Sequence, residues 1–165
     1  MATSDLLTIF GTPVTFSDSG STAVITLNNL AANTGRVSAQ VDRGAGAIPT
    51  WFTLRGTFQK GVAGVVDEVI WVYIITFNAA GTHGDGEVGA SDAALTAVQA
   101  KNIPIRFPVF VPFTSTNTDF TASYPPFEIA SRYFSVGVLN SLTGLLRAVA
   151  NSCVITLTPV NMEAQ

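Results

Sequence analysis

His83 is the only histidine in 165 residues and Cys153 the only cysteine, so any nucleophile–base pair of the Ser-His-Asp or Cys-His kind has to be assembled around His83. Its neighbours Gly81, Gly84 and Gly86 make a poor frame for that chemistry, because catalysis requires groups held in place before the substrate arrives. No Gly-x-Ser-x-Gly elbow occurs. The acidic residues Asp85, Glu87 and Asp92 follow closely and could offer oxygen ligands to calcium. Their spacing does not match the helix-loop-helix calcium loop, and a solvated acidic turn is the expected reading. Asp67, Glu68 and Glu128 are the carboxylates that could pair for glycoside cleavage, although acidic residues are also common at strand ends. The run Gly84-Asp-Gly-Glu-Val-Gly89 has the letters of a dinucleotide fingerprint, but no strand precedes it. One cysteine forms no internal disulfide and no cysteine-based zinc site, and Cys153 alternates with Ile155 and Leu157 as a small buried residue does. The expectation is a chain with no catalytic residues, no cofactor and no metal.

The elements that carry these residues read as strands, since alternation recurs along the chain while a helical period is hard to find. Val37, Ala39 and Val41 alternate with Ser38, Gln40 and Asp42. Phe52, Leu54, Gly56 and Phe58 alternate with Thr53, Arg55, Thr57 and Gln59. From Val66 to Phe77 the alternate set Val69, Trp71, Tyr73, Ile75 and Phe77 is matched by Ile70, Val72 and Ile74 on the other face, which predicts a strand central to a sandwich or covered by a partner. Residues 103–113 are extended but hold Pro104, Pro108 and Pro112, which cannot donate to a ladder, so an edge strand or a bulged one is expected. Further strands are expected at 13–16, 23–27, 132–140 and 152–160, with 145–150 also extended and a turn at Tyr124-Pro-Pro. A short helix capped by Ser91 or Asp92 is the only helical segment expected, near 91–101, and 78–89 is a glycine-rich loop. The predicted fold is all-β, an antiparallel β-sandwich of jelly-roll-like kind, with one domain over 23–165. Residues 1–22 form an N-terminal arm or a first strand, carrying the apolar Leu6-Leu-Thr-Ile-Phe10 between Gly11-Thr-Pro13 and the start of the chain.

Composition narrows the partners. Apolar residues make up 47% and charged residues 12%, which excludes general disorder. The net charge of -3 with no Lys/Arg cluster excludes a phosphate-tracking surface, so nucleic acid is not a partner. No stretch is long and apolar enough for a membrane helix, and residues 1–5 lack the basic region of a secretory signal, so no membrane association is expected and the chain reads as made in the cytoplasm. A folded monomer of 17.3 kDa should expose about 7,800 Å². Only 19 charged side chains are available to solvate that area, about half the usual fraction. The deficit points to a surface that meets protein, and to a homo-oligomer. Leu6, Ile9, Phe10, Trp51, Phe110, Phe120, Tyr124 and Phe127 are the residues that alternation or loop context leaves without a core position, and they are the predicted interface anchors or, alternatively, a sugar-stacking platform.

Leu27-Asn-Asn-Leu-Ala-Ala-Asn-Thr-Gly-Arg-Val-Ser-Ala-Gln-Val-Asp42 resembles a segment of the type Leu-x-x-Leu-Ala-x-x-x-x-Arg-x-Ser-x-x-Val-Asp that opens a group of small virion proteins of tailed bacteriophages. Gly89-Ala-Ser-Asp-Ala-Ala94, the strand and turn from Arg132 to Gly144, and Ile155-Thr-Leu-Thr-Pro-Val160 resemble later pieces of the same proteins, in the same order. Residues 1–23 and the proline-studded segment 103–113 depart from them. The resemblance implies a head decoration, or cement, protein of jelly-roll-like fold that sits on the capsid exterior as a homotrimer, binds the major capsid protein and stabilises contacts between its subunits. The alternative is a carbohydrate- or receptor-binding β-sandwich module of a phage tail or spike.

Overall fold

A computed structural model describes residues 6–45, 51–63, 65–112 and 115–164. The chain forms a two-sheet β-sandwich with one short α-helix and one 3-10 turn. Twelve strands are described: β1 (Leu6–Phe10), β2 (Val14–Ser17), β3 (Ala23–Val24), β4 (Thr34–Val37), β5 (Val41–Asp42), β6 (Trp51–Gln59), β7 (Val69–Phe77), β8 (Ala93–Leu95), β9 (Ile105–Phe110), β10 (Asp119–Glu128), β11 (Tyr133–Asn140) and β12 (Val154–Ala164). The first sheet runs β10-β6-β12-β2-β3, with β1 also on β12. The second runs β8-β4-β11-β7-β9, with β5 also on β11. All pairs are antiparallel except the short β2–β3 contact.

Alternation sends Phe52, Leu54 and Phe58 of β6 and Ile155 and Leu157 of β12 into the space between the sheets. There they meet Ile70, Val72 and Ile74 of β7 and Phe134, Val136 and Val138 of β11. Phe134 is the junction, with Phe16 edge-on at 6.1 Å and Phe52 tilted at 5.9 Å between ring centroids. Gly56 is glycine because a Cβ there would stand 2.9 Å from the Phe58 ring. The other face of β7, carrying Tyr73, Ile75 and Phe77, is also buried, as its apolar pattern requires. Its cover is the chain itself: Val88, Leu95, Ala100 and Ile103, from the segment 85–103, form a roof over Val37, Tyr73, Ile75 and Phe77. That roof contains the 3-10 turn Asp85–Glu87 and helix α1 (Ala97–Lys101).

Several expectations are corrected. Helix α1 is short and begins at Thr96, whose side chain forms a reciprocal capping box with Gln99. Asp92 is committed elsewhere, and 93–95 is strand β8. Val37, Ala39 and Val41 do not share a face. The β11 ladder slips by one residue between β4 and β5, so Val37 turns to the roof while Val41 and Ala39 turn inward. The Tyr124-Pro-Pro turn is a bulge inside β10, at the sheet edge where proline's missing N–H does no harm. Residues 145–150 are loop, apart from one bridge between Leu146 and Lys60. Strand β9 lies at the edge of its sheet, as its prolines demand.

Candidate functional site

The residues with chemical potential are scattered onto structural tasks. His83 is exposed in its loop. Asp85 accepts from the Thr76 N–H at 2.9 Å and the Thr76 hydroxyl at 2.7 Å, which ties the glycine-rich loop to β7. Asp92 accepts from the Thr26 hydroxyl at 2.5 Å and pairs with Arg36 at 2.8 Å, while Glu87 is exposed. Among the described residues no group of three His, Cys, Asp or Glu side chains converges as a metal site would need. Cys153 is buried, and that burial pushes its thiol up to about 11. Asp67 is exposed, Glu128 stands exposed at the end of β10, and Glu68 is half-buried against the buried Lys60.

That last pair is one the sequence reading passed over. Lys60 Nζ lies 3.1 Å from Glu68 Oε2, with the two side chains 1% and 9% exposed. Burial pushes the Glu68 carboxyl up. Hydrogen bonds from Thr143, Lys60 and the Val65 N–H outweigh it and hold the group at about 2. The signal was present: Lys60 falls on the inward register of Phe52, Leu54, Gly56 and Phe58, and an inward lysine needs a buried partner.

The predicted interface residues separate into two groups. Phe120 is 2% exposed and stacks on Phe58 at 6.0 Å, so it is core, a correction that follows from the unrecognised strand β10. Tyr124 and Phe127 turn inward and clasp Phe107 at 4.9 and 4.7 Å, and the Tyr124 hydroxyl donates to the Pro108 carbonyl. These two close the side of the sandwich between β9 and β10. Leu6 lies in β1, and Ile9 is half-buried. Phe10, Trp51 and Phe110 are exposed, at 63%, 49% and 61%. Phe110 stands on the second sheet, opposite Val69. Phe10 and Trp51 belong together, because each pairs with Val160, and the register Glu128–Trp51–Val160–Phe10 runs straight across the first sheet.

This row ends the outer face of the first sheet. Trp51, Thr53, Arg55 and Thr57 from β6, Thr156 and Thr158 from β12, and Thr121 and Ser123 from β10 point away from the core on the alternate register. The hydroxyls of Thr57 and Thr121 lie 3.0 Å apart. β-Branched threonine suits a pleated surface and presents a methyl and a hydroxyl together. Neither buried cluster includes Trp51 or Phe10, in contrast with Tyr73, Ile75 and Phe77 beneath the roof of the second sheet, although Val160 between them in the row is itself buried. The second sheet's aromatics are also capped by cations, Arg106 over Trp71 at 5.4 Å and Arg132 over Tyr133 at 4.9 Å, whereas no such cation stands over Trp51 among the described residues. Four strands at ~4.8 Å and nine residues at ~3.3 Å give a face of roughly 600 Å², the lower bound for one side of a standard protein interface. Half of a tryptophan and more than half of a phenylalanine remain to be buried, worth about 5 kcal/mol together at ~25 cal/mol per Å².

No protein-family model, no curated protein and no solved structure matches this chain.

Proposed function

We propose that this chain is a structural protein that docks the outer face of its first sheet onto another protein, in the manner of a phage head decoration protein bound to the outside of a capsid and stabilising contacts between major capsid subunits. The carrying observation is the asymmetry of the sandwich: one outer face is roofed by residues 85–103, the other carries outward threonines and ends in the exposed Phe10 and Trp51. Charge supports it. The exposed area is 8169 Å², and of the few charges available Lys60 is buried and paired with the half-buried Glu68, while Arg36 and Arg132 are held by Asp92 and Asp42. Such a protein acts by linkage. It binds the assembled shell and not the free subunits, and so shifts the equilibrium toward assembly, while self-association multiplies weak contacts.

The test is co-sedimentation with purified phage heads lacking the protein. Saturable binding of the wild type, a rise in the heat resistance of the shell, and loss of both in Trp51→Asp and Arg55→Glu support the proposal. Absence of binding to any head, or unchanged binding by both variants, rejects it.

A second reading has its own observation. A shallow groove is lined by Thr76, Asn78, Ile105, Glu128, Ser131 and Arg132 among others, and Glu128 is the register partner of Trp51. Planar polar groups beside an exposed indole are what a sugar site uses, and a glycan array with a Glu128→Ala control distinguishes this reading from capsid docking.

A further inference from the structure

Exposed sheet edges invite uncontrolled strand pairing, and proteins blunt them with prolines, bulges, charges or brevity. Nearly every edge here is treated that way. β9 is bracketed and interrupted by Pro104, Pro108 and Pro112. β10 carries the Pro125–Pro126 bulge and ends in Asp119 and Glu128. β3 and β5 have two residues each and β8 has three. The exception is β1, Leu6-Leu-Thr-Ile-Phe10, five residues without proline, glycine or charge.

The direction of its backbone groups follows from the ladder. Phe10 faces Val160, and in the same register the next residue, Gly11, donates its N–H to the Pro159 carbonyl at 2.9 Å. In an antiparallel pair successive residues turn their N–H and C=O alternately toward and away from the partner. Leu7 and Ile9 therefore bond to β12, and Leu6, Thr8 and Phe10 present theirs to the outside, where no described strand pairs with β1.

We infer that the outer edge of β1 is a strand-addition site and that its occupant is β1 of a second copy of this chain. The outward residues are symmetric about Thr8. Antiparallel pairing across a two-fold axis sets Thr8 against Thr8 of the second copy and Phe10 against Leu6 of the second copy, and each outward N–H meets an outward C=O. Phe10, 63% exposed in the single chain, gains an apolar neighbour, and the first sheets of two copies become one continuous sheet. An isologous contact consumes the edge in closing, which leaves no free template for further addition. This contact is made through the backbone edge of β1, shares only Phe10 with the docking face, and builds even-numbered species, either dimers or pairs of trimers.

Thr8→Pro removes an outward donor while leaving Leu7 and Ile9 to hold β12, and the extended conformation suits proline and the residue before it. Light scattering across micromolar concentrations should show the mass of Thr8→Pro falling twofold against wild type, with Thr8→Val unchanged. In parallel, amide exchange at Leu6 and Phe10 of the wild type should slow as concentration rises. A wild-type chain that stays monomeric, a folded Thr8→Pro that keeps the wild-type mass, or exchange at Leu6 and Phe10 that is independent of concentration overturns the inference. If Thr8→Pro does not fold, the exchange measurement alone decides. Head binding by the Trp51 face is read separately, since Thr8→Pro leaves that face intact.

Discussion

Replacing Glu68 by glutamine strands the Lys60 ammonium, 1% exposed, without its counter-charge. Breaking a buried pair from one side costs about 3–5 kcal/mol, because the remaining charge has lost both water and partner. For a domain of this size each kcal/mol moves Tm by about 2–4 °C, so Glu68→Gln should melt roughly 10–15 °C below wild type. Lys60→Met should cost less, as the carboxylate keeps the N–H groups of Val65 and Thr143. The double variant Lys60→Met/Glu68→Gln should be more stable than Glu68→Gln alone, since no unpaired charge is left behind. The pair also sets an acid dependence. The Glu68 carboxyl sits at about 2 in the folded chain against an ordinary 4.5, so its contribution is complete above pH 4.5 and is lost as pH falls toward 2. A shift of that size corresponds to about 3 kcal/mol. Urea unfolding at pH 7, 4 and 3 on the four proteins of the cycle measures both effects. Additive single losses, or a Glu68→Gln variant with the same acid slope as wild type, would refute the reasoning.

Phe120→Ala should destabilise by about 3–5 kcal/mol as a core deletion, whereas Trp51→Ala should change unfolding by less than about 1 kcal/mol and act on docking instead; equal losses in urea melts would reverse the division of the aromatics into core and surface. Cys153, buried with its thiol pushed up to about 11, should resist a soluble thiol reagent at pH 8 until denaturant is added, and labelling of the native protein within minutes would show that the core opens there.

Strands with strict period two were legible. β6, β7, β11 and β12 follow the alternation read from the residues, and so does the proline-marked edge at β9, because burial of one face imposes the pattern directly. The threonine face was legible in the same sense, as the residues opposite Phe52, Leu54, Phe58, Ile155 and Leu157. What failed is instructive about bulges. One extra residue between β4 and β5 reversed the face of Val37 relative to Val41, and the bulge at Pro125–Pro126 disguised β10 as a turn, which in turn cast Phe120, Tyr124 and Phe127 as surface residues. Periodicity also cannot say what covers an apolar face. β7 was correctly read as apolar on both sides, yet only the three-dimensional arrangement identifies residues 85–103, and not a partner, as the cover of its outer side.

Strand β12 lies in the interior of the first sheet, flanked by β6 on one side and by β1 and β2 on the other, and every one of those neighbours precedes it in the chain. During vectorial synthesis the ribosome must therefore deliver the flanks of the sheet before its spine. At about 5–20 residues per second, β6 waits on the order of 5–20 s after its own emergence before β12 can join it. For that interval Phe52, Leu54 and Phe58 have no ladder partner until β10 emerges and only β10 thereafter, so a nascent chain stalled before residue 154 presents an unfinished sheet to chaperones and proteases. Losing β12 would thus be far more damaging than losing an edge strand of equal length, and quality control of this protein waits on the emergence of residues 154–164.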